Sequence, residues 1–156
     1  MNSYKFFWGG IYSQWFESPF VIDGKEFNTC EQWMMWNKAK LFGDEDIAQQ
    51  ILDDPFPNNQ KALGRKVKNF DDAKWMEVAY DIVVQGNRAK FSQNQKLANQ
   101  LKETIGKELV EASPYDKRWG IGMRADDVGI ENPMNWKGDN LLGKAITQVR
   151  IEMFGE

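Results

Sequence analysis

The hydrophobic and polar positions near the N-terminus predict a short β-hairpin. Two runs, 20–22 (FVI) and 25–27 (KEF), flank the dipeptide Asp23-Gly24. Asp-Gly between such runs favours a type I′ turn, because both central positions of that turn need a positive φ angle. We therefore expect a small hairpin in the N-terminal part of the chain.

Most of the remaining chain has the spacing of amphipathic helices. Apolar residues recur three or four positions apart, and residues that cap or break helices bound each segment. The predicted helices run from about Thr29 to Phe42, from Asp44 to Asp54, from near Pro57 to Lys66, from Asp71 to about Phe91, from about Leu97 to Gly106 and from Leu141 to Met153. This pattern predicts a mainly α protein, and without a linker or repeat we expect a single domain over 1–156.

Residues 107–139 lack helical spacing. Leu109-Val110 predicts a short strand, and a stretch containing Gly, Asn, Asp and Pro follows it. Long irregular segments inside compact domains are often functional. This segment is therefore a candidate part of a binding site.

Composition narrows the chemistry. The 156 residues include no histidine, one cysteine (Cys30) and seven tryptophans. Nucleophile systems that use histidine, histidine metal sites and an internal disulfide are excluded. Acid–base work would therefore fall to carboxylates, lysines or tyrosines.

Charge and hydropathy point to a small-molecule partner in the cytoplasm. The formal net charge is −3, whereas proteins that bind nucleic acid over a broad surface are usually basic. A small basic pocket is still compatible with this net charge. No apolar run approaches the roughly 18 residues of a membrane span. The start, MNSYKFFWGG, lacks the apolar stretch of a signal peptide. We expect a cytoplasmic protein with no membrane partner.

The first predicted helix contains the most suggestive arrangement. Glu31, Met35 and Lys38 follow i, i+4 and i+7 spacing and share one face. The carboxylate and the amine would lie roughly 10 Å apart and could bracket one small ligand such as a sugar. A solvated charged stripe is the alternative. Buried neighbours on this helix would favour the protonated acid and suit Glu31 for proton transfer.

Three tryptophan and carboxylate positions outside that helix also qualify. Asp116 and Trp119 are three residues apart in the loop YDKRWGIGM, where a carboxylate beside an indole could bind a sugar and stack a ring. The alternative is a capped turn followed by a core tryptophan. Trp75 opens the long helix and would be either core or one wall of a stacking pocket; we interpret the five tryptophans other than Trp75 and Trp119 as structural.

Basic residues form a third candidate group. Lys61 and Arg65 are four residues apart on one helix, and Arg88 and Lys90 lie in GNRAK at 86–90. Together they would suit a phosphate pocket. Solubilising surface charge is the alternative, and the P-loop spacing is absent.

Five segments in order resemble one known family. SPFVIDGKEFNTCEQWMMWNKAKLFGD, KALGRKVKNFDDAKW, GNRAKFSQN, LVEASPYDKRWGIG and NLLGKAITQVR are similar in order and spacing to the YbiA/NADAR family, from about Phe7 to Arg150. The resemblance implies a compact, mainly helical YbiA-like domain. It also implies hydrolysis of an N-glycosidic bond on a ribosylated, phosphorylated substrate. Other members carry SEHYFQ where this chain has CEQWMMW, so a substrate known for that branch is a poor guide to the substrate of this chain.

The resemblance implies a role for each candidate residue. Its functional positions fall on Glu31, Lys38, Trp75, Asp116 and Trp119, and its basic positions on Lys61, Gly64 and Arg65. Glu31 would be the acid/base group, Asp116 would hold the ribose hydroxyls or stabilise the cationic centre, Trp75 and Trp119 would stack the base or sugar, and Lys61 and Arg65 would bind phosphate. Lys38 would either contact phosphate or ribose, or attack C1′ of the opened sugar as a nucleophile. The scheme requires no metal or other cofactor.

Two substrate classes are implied, and two other functions compete. The substrate would be a ribosylaminopyrimidine phosphate of riboflavin biosynthesis, or ADP-ribosylated guanine, free or within nucleic acid. A module that binds NAD or ADP-ribose without cleaving it is the first alternative, and a helical interaction protein with core tryptophans is the second. The oligomeric state is left open.

Overall fold

The computed structural model describes residues 3–156. Its elements follow in this order: β1 (Tyr4–Phe7), β2 (Phe20–Ile22), β3 (Lys25–Phe27), α1 (Cys30–Leu41), α2 (Glu45–Asp53), α3 (Pro57–Gly64), α4 (Asp72–Ser92), α5 (Gln95–Lys102), β4 (Glu108–Glu111) and α6 (Leu141–Phe154), with short 3-10 turns at Gly10–Tyr12 and Pro133–Asn135. The predicted mainly α class is confirmed. Every predicted helix occurs, and each of its ends lies within four residues of the expected position.

Two compact units make up the chain. The central unit comprises residues 14–93, and the terminal unit comprises the segments up to Ser13 and from Asn94 onward. The expected single domain over 1–156 stays a prediction. No helix within 3–156 combines the length and apolarity that a membrane crossing requires.

Side-chain caps explain where three helices begin. Thr29, Asp44 and Asp71 each accept a hydrogen bond from a backbone N–H three residues further on, at the start of α1, α2 and α4. Such caps satisfy one of the N–H groups that a helix leaves without a partner at its first turn. Pro57 begins α3, where its missing N–H costs nothing.

Helix α1 is the core of the central unit. Its residues from Cys30 through Met35 are all buried, and it packs against α2, α3 and α4. The helix therefore lacks a solvent-facing side along its first half. Glu31 is carried into this environment by its position on the helix.

The hairpin of the central unit has the predicted turn. Strands β2 and β3 pair antiparallel, with Phe20 opposite Phe27. The turn residues Asp23 and Gly24 have φ angles of 51° and 78°, as a type I′ turn requires. Phe20 and Phe27 join Cys30 and Trp33 in one buried cluster, so the hairpin closes one end of the α1 core.

The terminal unit is built on a parallel strand pair. β1 pairs with β4, with Tyr4 opposite Glu108, and α6 packs against β4. Asn140, at the start of α6, links this helix to β4, because its side-chain amide accepts a hydrogen bond from the Glu111 N–H and donates one to the Leu109 carbonyl. The sequence predicted β4 and α6 but not the pairing with β1.

Candidate functional site

Glu31 lies in the first turn of α1, almost out of contact with solvent. Its side chain is 7 % exposed, and its Oε1 accepts a hydrogen bond of 3.2 Å from the indole Nε1–H of Trp15. Its backbone N–H donates to the Gln14 carbonyl at 3.0 Å. The N-terminal end of a helix stabilises negative charge. Glu31 is therefore a buried residue with hydrogen bonds at both its backbone N–H and its carboxylate.

Lys38 lies two turns further along α1, in the electrostatic range of Glu31. Burial lowers the pKa of Lys38, Arg65 lowers it further, and the charges of Glu31 and Asp72 oppose that shift. The Lys38 ammonium lies 4.4 Å from the ring centroid of Phe70, a cation–π distance. A lysine whose pKa is lowered holds a larger fraction of neutral, nucleophilic amine at neutral pH.

Helix α3 brings two basic residues to the same region of the central unit. Gly64 packs so closely on Met35 that a Cβ at this position would collide with the methionine side chain. Met35 is the residue between Glu31 and Lys38 on their face of α1. Lys61 and Arg65 are exposed, and the Lys61 ammonium lies 5.9 Å from the Trp15 ring centroid. The structure thus brings Glu31, Lys38, Lys61 and Arg65 together.

The remaining candidates are placed differently. Trp75 is 4 % exposed, so little of its ring is open to a ligand, and its stacking role stays a prediction. Asp116 and Trp119 belong to the terminal unit. Asp116 Oδ1 accepts from the backbone N–H groups of Arg118 and Trp119, which is the capped turn of the alternative interpretation, whereas Trp119 is half-buried rather than core. Their proposed contacts with ribose and base stay predictions.

Sequence reasoning missed three neighbours of Glu31 and Lys38. Trp15 was interpreted as structural, yet it is 43 % exposed and donates to Glu31. Phe70 and Asp72 contact or influence Lys38. None of the three lies at a helical spacing from α1, so the sequence contains no periodic signal that could have found them.

Lys90 is neither a surface phosphate ligand nor a solubilising charge. Its side chain is fully buried, and its ammonium lies 5.7 Å and 5.1 Å from the ring centroids of Phe16 and Phe91. Burial lowers the pKa of Lys90 to about 8. Burial also raises the pKa of the Cys30 thiol to about 11, against the opposing charge of Lys90, so Cys30 is a protonated, buried thiol at neutral pH.

Burial of Lys90 predicts a pH-dependent stability. Between pH about 8 and 10.5 the unfolded chain holds more protons at Lys90 than the folded chain does. The cost of burying the charged amine therefore disappears, and the folded state becomes more stable, as pH rises through that window. We expect the free energy of unfolding of wild type, relative to Lys90→Met, to rise by about 3 kcal/mol between pH 7 and 10.5. Urea unfolding of both proteins at several pH values measures this difference.

A matched control is available on the same helix. Lys74 is exposed near the start of α4, and the stability of Lys74→Met relative to wild type should not change with pH. If the difference in the free energy of unfolding between wild type and Lys90→Met also stayed constant with pH, the proposed cost of burying the Lys90 charge would be contradicted.

The site in the central unit combines the buried carboxylate of Glu31, the amine of Lys38, whose pKa is lowered, and the exposed basic side chains of Lys61 and Arg65. A carboxylate shielded from water suits general acid–base work, and Arg with Lys suits a phosphate. Within residues 3–156, no three His, Cys, Asp or Glu side chains converge as metal ligands.

These features define a mainly helical protein with a buried carboxylate–lysine site flanked by basic side chains. The NADAR domain family matches residues 6–154, and the chain belongs to that family. The YbiA/NADAR resemblance drawn from the sequence is therefore confirmed.

Individual relatives agree with this assignment. The chain is 43% identical to N-glycosidase R617 of Acanthamoeba polyphaga mimivirus, covering 97% of this chain and 96% of that protein. It is 32% identical to the chloroplastic riboflavin biosynthesis protein PYRR of Zea mays, over 70% of this chain but 16% of that protein. The NMR structure of the E. coli protein YbiA superposes with a TM-score of 0.80 at 26% identity, covering 97% of this chain and 85% of that one. The YbiA-like fold is thereby confirmed.

Proposed function

We propose that the protein is a hydrolase that cleaves the N-glycosidic bond of a phosphorylated, ribosylated base, with Glu31 as the acid/base group. The observation that carries the proposal is the buried carboxylate of Glu31, held by Trp15 and grouped with Lys38, Lys61 and Arg65. Binding alone would not need a carboxylate in this place, because a phosphorylated ligand is itself negative and would be repelled by it.

The reaction needs a proton source and a means of stabilising a cationic sugar. Cleavage breaks the C1′–N bond with development of an oxocarbenium-like centre, as in glycoside hydrolysis generally. The leaving nitrogen takes a proton from Glu31. Water then adds its hydroxyl to C1′ and returns its other proton to Glu31, which restores the starting state.

Lys38 offers a second route through the same site. The neutral amine attacks C1′ of the opened sugar, the leaving base departs as an amine, and water hydrolyses the resulting imine to release Lys38 and the sugar. The lowered pKa of Lys38 supports this route. In the other route Lys38 contacts ribose or phosphate. Lys61 and Arg65 would hold the phosphate in both routes, and Asp116, Trp75 and Trp119 keep the ribose-binding and stacking roles that the resemblance implies.

The relatives support this class of reaction and leave two substrates. The mimivirus relative is named an N-glycosidase, and the maize relative is named for riboflavin biosynthesis. As the substrate we propose either a ribosylaminopyrimidine phosphate, which fits the name of the maize relative, or ADP-ribosylated guanine, free or in nucleic acid, which the family resemblance implies. The net charge of −3 favours a small molecule.

A substrate panel tests the proposal. Purified protein is incubated with a ribosylaminopyrimidine 5′-phosphate, with ADP-ribosylated guanosine and with the same modification in DNA, and released base and sugar phosphate are quantified by chromatography. We expect equal amounts of base and sugar product from one of these compounds. Saturable binding of ADP-ribose without release of base from any compound would instead establish the non-catalytic binding module and refute the hydrolase.

A further inference from the structure

We propose that Trp15 positions Glu31 and is also the platform on which the leaving base stacks. The inference rests on the proposed function and deepens it, since it specifies a planar aromatic base as the leaving group. Sequence reasoning assigned stacking to Trp75 and Trp119 and left Trp15 among the structural tryptophans.

The positioning part follows from the hydrogen bond to Glu31. The Trp15 Nε1–H donates to Glu31 Oε1 at 3.2 Å, and indole has no other polar atom with which to compete for this contact. A hydrogen bond to a carboxylate favours its charged form and fixes the direction of its oxygens. Trp15 therefore fixes the geometry from which Glu31 delivers and recovers its proton.

The stacking part follows from exposure of the same ring. Trp15 is 43 % exposed although its N–H is directed at a side chain that is 7 % exposed. Trp15 thus contacts the buried carboxylate through its N–H while much of the residue is open to solvent. A base stacked on this ring would have one edge beside Glu31, which is where the leaving nitrogen must be protonated. Stacking on an aromatic side chain contributes about 1–3 kcal/mol per base.

Lys61 adds a charge at the edge of this platform. Its ammonium lies 5.9 Å from the Trp15 ring centroid, and the side chain is exposed. A 5′-phosphorylated ribosyl base would place its ring on Trp15 and its phosphate within reach of Lys61. The arrangement fits a phosphorylated nucleoside-like compound better than a sugar lacking an aromatic base.

Two substitutions separate the two roles of Trp15. Trp15→Phe keeps an aromatic ring but lacks the N–H, and it should lower kcat about 10- to 100-fold, as expected for losing a hydrogen bond to a charged group. KM should stay within about twofold, and the limb of the pH–rate profile that depends on Glu31 should move to higher pH, because the charged form has lost a donor. Trp15→Leu lacks the ring as well, and its KM should rise roughly tenfold in addition.

Trp8 supplies the matched control. It is 58 % exposed and lies in the terminal unit, where its ring contacts Tyr115. Trp8→Phe and Trp8→Leu should change neither kcat nor the pH–rate profile. Wild-type kcat and an unshifted pH–rate profile in Trp15→Phe would overturn the positioning role, whatever its stability.

Binding and fluorescence measurements keep this inference separate from the proposed function. Guanosine 5′-monophosphate should bind wild type and Trp15→Phe alike and Trp15→Leu about tenfold more weakly by calorimetry; equal binding by all three would overturn the platform. The fluorescence of wild type should change with pH in a step that Trp15→Phe and Glu31→Gln both lack, and its absence from wild type would overturn the contact. If these results hold while no compound of the panel is cleaved, the hydrolase proposal fails, whereas the Trp15–Glu31 contact and the stacking of a base on Trp15 stand as features of a binding site.

Discussion

Replacing Glu31 with glutamine is expected to lower kcat by about 10²- to 10⁴-fold, the usual contribution of a positioned acid/base group. Glutamine has nearly the same shape, and its carbonyl oxygen can still accept the hydrogen bond that Trp15 donates to Glu31 Oε1. The substitution therefore removes proton transfer while leaving the local packing in place. Initial rates on the compound that the substrate panel identifies, measured at saturating concentration, test this expectation.

The control for Glu31→Gln must remove a carboxylate without touching the site. Glu26 is exposed on β3, and Glu26→Gln should retain wild-type kcat and KM. Thermal unfolding of both variants verifies that each is folded. If Glu31→Gln keeps full activity, Glu31 is not the acid/base group, and the assignment would have to move to another carboxylate or to Lys38.

Local sequence signals were sufficient for most of the fold. Thr29, Asp44 and Asp71 cap the helices that follow them, and the Asp23-Gly24 turn closes the hairpin, because each feature depends on residues a few positions apart. The parallel pairing of Tyr4–Phe7 with Glu108–Glu111 was missed. Its partners are separated by most of the chain, and neither strand contains a signal that specifies the other.

The candidate site shows the same division. Glu31 and Lys38 were found because they lie on one helix, where sequence spacing gives their separation. Trp15 and Phe70 approach them only through tertiary packing, which a single sequence does not reveal. Trp15 donates a hydrogen bond to the carboxylate, and the Phe70 ring lies at a cation–π distance from the ammonium.

Lys90 shows a signal that was present but not used. Val83, Gly86, Asn87 and Lys90 follow i, i+3, i+4 and i+7 spacing on α4, and all four are buried. The small and apolar members of this set predict a core-facing side, and Lys90 lies on it. Reading the motif GNRAK as a basic cluster placed too much emphasis on charge and too little on the helical position.

Lys38 is the residue on which the two chemical routes differ most. If its amine attacks C1′ of the opened sugar, borohydride added during turnover will reduce the imine to a stable amine and inactivate the enzyme. We expect Lys38 to carry a reduced adduct whose added mass is that of the sugar phosphate less one oxygen atom, located by peptide mass spectrometry. Lys38→Arg should form no adduct and lose at least about 10²-fold in kcat, because a guanidinium keeps the charge but stays protonated and cannot act as a nucleophile.

Lys40 provides a control two residues away on the same helix. It is exposed and forms a surface ion pair with Glu45 at 2.8 Å. Lys40→Arg should therefore keep wild-type activity and still be trapped by borohydride at Lys38.

The trapping rate should also depend on pH. Burial is the main cause that lowers the pKa of Lys38, so the neutral fraction of its amine should rise with pH. The trapping rate should rise with that fraction and reach a plateau at a lower pH than an exposed lysine would require. Complete turnover in borohydride with no adduct would refute the imine and leave Lys38 as a contact to ribose or phosphate, in which case Lys38→Arg would raise KM and change kcat little.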